Sequence, residues 1–325
     1  LLNQEIHFMA TAPFPIDPVL TGITNSYRNT SLISDLVLPR VRVGKKEFKY
    51  LVYDKEAAYT VPSTLVGRKG QPGEVEFGAT EEASFVYDYG LDDFIPADDV
   101  TQAGAGGGVD YQYDPRGRAV ETMTDLILLD RELRTSSIVF DLSTYDAGLR
   151  RTLVGAEQWS DPTSTPVKDI LEALDLPLMR PNIGVLGQEV WTQLRQHPQV
   201  IAGVSMSGGN ASEGGVAMTS AVADLLGLDE ILVGSGWLNA AAPGQPPSFA
   251  RVWGKNAAFI HRNLNADTER GITFGFSAQF GDRISGGIAE PKRGLRGGET
   301  IRVGESLREL ISAADLGFFF QNAVA

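Results

Sequence analysis

The sequence predicts an α+β protein with extended parts, and three observations carry the prediction. Strand-like stretches dominate residues 41–93 and return at 271–321, one long capped helix lies at about 114–140, and only residues 166–262 alternate helix with strand. No internal repeat at solenoid or propeller periods is present.

The chain begins LLNQEIHFMATAPFPIDP, and Met9 is its first methionine. Gln4-Glu5 can be encoded as a ribosome-binding sequence three codons ahead of Met9, so residues 1–8 are expected to be an extension before the true start. Pro13, Pro15, Pro18 and Pro39 then surround one short helix, from Pro18 to about Tyr27. Asp17 is its expected N-cap and Pro18 its first helical residue. This segment reads as an arm rather than part of a core.

KEFKYLVYDKEAAYTV and EVEFGATEEASFVYDYG, joined through PSTLVGRKGQPG, predict a long hairpin. Its charge is segregated. Lys45, Lys46, Lys49, Lys55, Arg68 and Lys69 precede the bend, whereas from Gly70 to Pro115 there is no Lys or Arg and Glu74, Glu76, Glu81, Glu82, Asp88, Asp92 and Asp93 follow it. Opposite charges facing across such a hairpin contribute roughly 0.2–1 kcal/mol per pair. Because an isolated two-stranded hairpin is marginal in water, this one is expected to lie on another surface. Gly70, Pro72 and Gly73 make the bend, so Arg68 and Lys69 need a separate reason, either a solvated turn beside the acids of their own hairpin or contact with another subunit.

TQAGAGGGVDYQY, residues 101–113, reads as a flexible linker; no Gly-Lys-Ser/Thr follows it, so it is no phosphate cradle. The long helix enters through Asp114 and Pro115, with Val120, Met123, Ile127, Leu128 and the stem of Arg131 along one face. Tyr145 to Trp159 resembles a hairpin. TPVKDILEALD, NIGVLG, QEVWTQLRQHPQVI, SAVADLLG and EILVGSGW then alternate helix and strand, and GITFGFSAQFG, ETIRVGESLRELI and GFFFQNA are strands. Phe318, Phe319 and Phe320 beside the C-terminus demand cover, from the fold itself or from a neighbour.

The search for chemistry is nearly empty. Cysteine is absent, and His7, His197 and His261 show no metal-binding spacing, so neither a thiolate site nor a histidine metal site is expected. No Gly-x-Ser-x-Gly elbow occurs, and Asp92/Asp93 and Asp98/Asp99 lack the alternating ligands of a calcium loop. No catalytic, cofactor-binding or metal residue is expected, and no apolar run of about 18 residues supports a membrane span. A net charge of -13 argues against tight general binding of nucleic acid.

The order of elements resembles that of the major capsid proteins of tailed bacteriophages, the Hong Kong 97-like capsid fold. The stretches that carry the resemblance are FPIDPVLTGITNSYRN, LVLPRVRVGKKEFKY, VPSTLVGRKGQPGEVEF, YGLDDFIP, YDPRGRAVETMTDLILLDRELR, MRPNIGVLGQEVWTQLRQHP, ARVWGKNAAF and RVGESLRELISAADLGFFFQNAVA. It implies an N-terminal arm at 1–45 and an E-loop hairpin at 46–93. A P-domain at 94–180 and 266–325 would contain the spine helix at about 114–140, and an A-domain would occupy 181–265. It implies self-assembly into hexamers and pentamers of an icosahedral head shell around the genome, with scaffolding, portal and decoration proteins as candidate partners. The implied location is the virion, after assembly in the host cytoplasm.

Subunit contacts are expected at Lys45, Lys46, Arg68, Lys69, Glu74, Glu76 and Phe318 to Phe320. Lys55 and Lys69 are candidate donors for the Lys-Asn crosslink of one family member, but no Asn or catalytic Glu is matched here. Two rival readings are an encapsulin-type nanocompartment shell and a soluble α/β hydrolase or binding protein built on 166–262.

Overall fold

The computed structural model describes residues 15–26, 29, 31–53, 60, 61, 64–66, 68, 70, 71, 74, 79–105, 114–206, 216–242 and 244–325. The expected extension at 1–8 lies outside the described residues. Helix α1 (Pro18–Ser26) starts where the Asp17 carboxylate accepts the Val19 and Leu20 amides at 2.8 and 3.3 Å. After α2 (Ser34–Val37) come β1 (Arg40–Val43), β2 (Glu47–Tyr53), β3 (Ala79–Phe85) and β4 (Tyr87–Pro96). Helices α3 (Ala97–Ala105) and α4 (Pro115–Val139) follow. The Asp114 side chain opens α4 by accepting the Arg116 amide at 3.0 Å.

The chain then alternates through β5 (Arg150–Thr152), α5 (Pro166–Leu174), β6 (Ile183–Gly187), α6 (Gln188–Leu194), α7 (Pro198–Met206), α8 (Thr219–Leu226) and β7 (Glu230–Gly234). It closes with β8 (Trp237–Asn239), β9 (Phe249–Arg251), β10 (Ala257–Ile260), β11 (Gly275–Phe280), β12 (Ile284–Glu290), β13 (Gly298–Ile311) and β14 (Gly317–Gln321).

The described chain forms two units. The first comprises Leu1–Asn29, Tyr87–Asp130 and Gly281–Leu307. Here β13 lies between β12 and β4, antiparallel to both, with Ile284 opposite Gly304 and Tyr87 opposite Leu307. Leu20, Ile95, Val120, Met123, Ile301 and Val303 form its apolar core. Helix α1 packs one side on this core: Leu20 and Thr24 are buried, and the Asp17 amide and Thr21 hydroxyl both donate to the Ser285 carbonyl. Arg283 closes this corner, with Nε 3.0 Å from Glu305 and Nη1 donating to the Thr24 carbonyl.

The second unit comprises Thr30–Val86, Arg131–Phe280 and Arg308–Ala325. Its main sheet has the order β5-β14-β10-β6-β7, in which β6 is buried at every residue. Helices α5 to α8 contribute Ile170, Leu174, Val190, Leu194, Val204 and Val222 to its core. Gly234 in β7 is needed for close approach, because a Cβ there would overlap the Trp253 ring. Elsewhere in this unit β1 runs parallel to β11, and β2 pairs antiparallel with β3.

Three expectations are corrected. The hairpin's return arm stops at Phe85, because β4 leaves it to pair with β13. The first five residues of the expected linker, 101–105, complete α3, while 106–113 lie outside the described residues. The stretch 145–159 is not a hairpin: it holds short 3-10 turns around β5, which pairs in parallel with β14.

Candidate subunit interface

The base of the β2–β3 hairpin is fixed by packing. Phe48 is buried with Val86, Phe276, Ala278 and Leu310, and the Leu51 amide donates to the Thr268 carbonyl at 3.1 Å. Charges meet across the strands as the segregated sequence implies: Lys49 Nζ lies 2.6 Å from Glu81, and the Tyr50 hydroxyl donates to Glu82 at 2.5 Å. The Tyr50 phenol is pushed up to about 12, first by burial and then by the Glu82 hydrogen bond and charge.

Of the expected contact residues, Lys45 is exposed and Lys46 is half-buried in the bend before β2, where its carbonyl accepts the Val86 amide. Arg68 and Glu74 are exposed, while Lys69, Glu76 and the candidate crosslink donor Lys55 lie outside the described residues. The sequence reading weighed only the charges of this hairpin and missed its apolar side chains. Val61 and Leu65 are each 90% exposed, an arrangement that water alone does not favour.

Phe318, Phe319 and Phe320 are removed from the contact set, because their own subunit covers them. They lie in β14 between β5 and β10, with no more than 4% exposure. Strand alternation sends Phe318 and Phe320 toward Trp159 and Phe259, and Phe319 toward the other face, where Tyr145 stacks on it with ring centres 5.4 Å apart. The cover comes from this subunit's core, the first of the two sources the sequence left open.

A buried polar anchor was also missed. Arg131 and Glu132 in α4 have no exposed surface. Glu132 accepts the amides of Ile33 and Ser34 at 2.9 and 2.7 Å and the indole N–H of Trp253. Arg131 binds Asp35 and donates to the Leu38 carbonyl and the Ser277 hydroxyl. Burial by itself would raise Asp35, but the Arg131 and Arg40 guanidiniums outweigh it and hold the carboxyl well below the usual carboxylate range. Fully desolvated charges persist only when matched in this way.

The first unit carries an open groove of about 390 Å³ lined by Leu91, Asp92, Asp93, Arg118, Met123 and Leu126. Asp92 is held by Arg302 through two 2.6 Å contacts, which lowers its pKa. His197 lies 3.2 Å from the Ser164 hydroxyl, yet its Nδ1 accepts the Gln199 amide and its Nε2 is 3.1 Å from the Asp161 carbonyl. With Nε2 donating to that carbonyl, no ring lone pair faces Ser164, so the pair lacks the geometry of an activated nucleophile. Among the described residues no group of three His, Cys, Asp or Glu is placed to hold a metal ion, and no helix is long and apolar enough to cross a membrane.

A subunit with a fixed-base hairpin bearing exposed apolar and basic residues fits the class of shell-forming proteins, and its fold is that of phage capsid proteins. A phage-related protein from Bordetella bronchiseptica RB50 superposes with a TM-score of 0.73 at 22% identity, over 96% of this chain and 99% of that one. The capsid of cyanophage P-SCSP1u gives 0.59 at 12% identity, over 99% and 96%. No family model matches the sequence. The major capsid protein of Pseudomonas phage JBD67 is 52% identical over 98% of this chain and all of its own length. That of Burkholderia phage BcepMu is 23% identical over 93% and 95%. The chain belongs to the family of phage major capsid proteins.

Proposed function

We propose that the chain assembles with copies of itself into the hexamers and pentamers of an icosahedral head shell that encloses a tailed phage's genome, as a structural protein rather than an enzyme. The full-length likeness at 52% identity to a phage major capsid protein carries this reading. Exposed Val61, Leu65 and Arg68 support it at the residue level, since each fits a surface covered in the assembly. Arg68, Lys69, Lys45 and Lys46 then meet acidic groups of an adjacent copy, and Glu74 and Glu76 meet basic ones. Many weak contacts, summed over a closed lattice, give a stable shell without any catalytic step. A net charge of -13 keeps the wall from gripping DNA during filling. The hairpin is the E-loop of this shell, α4 its spine helix and 181–265 its A-domain. Assembly takes place in the host cytoplasm, with scaffolding, portal and decoration proteins as partners.

Reversing the charge of the bend tests the reading. Arg68→Glu with Lys69→Glu should leave the circular dichroism and unfolding midpoint of the subunit unchanged while lowering particle yield about tenfold or more. Normal yield would remove the bend from the contact. Co-purified enzyme cargo in the wild-type particles would favour a nanocompartment instead.

A further inference from the structure

Residues 261–274 join β10 to β11, a long connection where about 4–6 residues are usual. Little of it is held by burial: Ala266, Thr273 and Phe274 are interior, whereas Leu264, Asp267, Glu269 and Arg270 are exposed. Polar bonds give it a fixed shape instead. The Asp267 carboxylate accepts the Glu269 and Arg270 amides at 2.8 and 2.6 Å, and the Asp267 amide donates to the Arg270 carbonyl at 2.8 Å. The Asn263 side chain accepts the Asn265 amide at 3.0 Å. Gly271 closes the loop at φ 82°, and a Cβ there would lie 2.9 Å from the Ala266 Cα, so only glycine fits.

The crown of this loop meets the β2–β3 hairpin. Packing holds one face of β2, where Phe48 is buried and the Tyr50 ring meets Phe276 edge-on with centres 6.1 Å apart. Packing on a face does not stop a two-stranded sheet from swinging sideways, and among the described residues β2 pairs only with β3. The Thr268 carbonyl supplies the missing hold by accepting the Leu51 amide at 3.1 Å. The loop thus takes the place of a third strand at that point.

We infer that the 263–271 loop is a brace that sets the direction of the β2–β3 hairpin, with Asp267 and Gly271 as its positioning residues; the inference rests on the shell reading above. A hairpin already aimed along its contact direction loses less conformational freedom when a neighbouring copy covers it. The same gain recurs at every copy, and a constant direction lets identical contacts close into rings. Asp267 acts through the backbone: its carboxylate fixes residues 267–270, and these present the Thr268 carbonyl to Leu51. A loop that merely connected β10 to β11 would leave the hairpin unaffected when loosened.

The chain has no cysteine, so two introduced cysteines take spin labels at those places alone. Thr80→Cys in β3 and Lys168→Cys in α5, both exposed, report the hairpin's direction as a label-to-label distance in the full-length, unassembled subunit. Asp267→Ala should keep the unfolding midpoint, because its side chain lies outside the core. It should broaden the distance distribution about twofold, speed hydrogen exchange of the Leu51 amide about tenfold, and lower the particle yield of the unlabelled chain about tenfold. Gly271→Ala, which strains the same turn, should act in the same direction. An unchanged distance distribution and unchanged Leu51 exchange in Asp267→Ala would overturn the inference and leave the shell reading standing. A broadened distribution with full particle yield would also overturn it, since the hairpin's direction would then be irrelevant to the contact. A wild-type chain that forms no particles would remove the shell reading and, with it, the purpose of the brace.

Discussion

Arg131 and Glu132 are adjacent in α4, and both are committed to residues 33–38: Glu132 takes two amides there, and Arg131 takes Asp35 and the Leu38 carbonyl. Removing the carboxylate leaves two amides and an indole N–H buried without an acceptor. Glu132→Ala should therefore destabilise the unassembled subunit by about 3–5 kcal/mol in denaturant unfolding. Asp35 adds a pH dependence whose sign follows from its lowered pKa. A carboxyl held below its unfolded value of roughly 4 contributes stability above that pH and loses it as the pH falls further. Wild-type stability should drop below about pH 4, and Asp35→Asn should flatten that acid limb while lowering stability at neutral pH. An unchanged acid limb in the variant would assign the loss to other carboxylates. The sequence placed only the stem of Arg131 on the apolar face and did not single out Glu132, because a charge in a long helix otherwise reads as part of a solvated face.

Among the elements, α4 shows where legibility ends. Its apolar stripe was readable from Val120 to Leu128, and the same buried face then continues through Arg131, Glu132, Thr135 and Ser136 to Val139. Periodicity of apolar residues cannot report a face made of satisfied polar groups. Strand β4 fails for another reason. Nothing between Phe85 and Tyr87 resembles a turn, and only pairing with a strand some two hundred residues later separates it from β3. Glycine-rich composition hid α3, whose last residues run into the expected linker. For β14 the sequence posed the right question, what covers three phenylalanines, and left two answers open. Because the subunit covers them itself, Phe319→Ala should cost about 3–5 kcal/mol in unfolding of the unassembled subunit. An unchanged unfolding curve, with loss confined to particle yield, would return these residues to the interface.

The whole molecule was legible as a family member because long stretches at both ends and through α4 carry the resemblance, whereas no short motif does. Its contact surfaces were less so. Charge is visible in a sequence, and it pointed to Arg68. The exposure of Val61 and Leu65 is a property of the folded chain. Apolar residues left outside a well-packed subunit are compatible with the family likeness, and in the proposed shell neighbouring copies would cover them. The measurement that bears most directly on this account is cryo-electron microscopy of the purified, full-length wild-type protein under low-salt and physiological-salt conditions. The account predicts closed particles of icosahedral symmetry, built of rings of this chain, with the β2–β3 hairpin of one copy lying on the next. A population that stays monomeric at every concentration and salt, with Val61 and Leu65 in water, would contradict it.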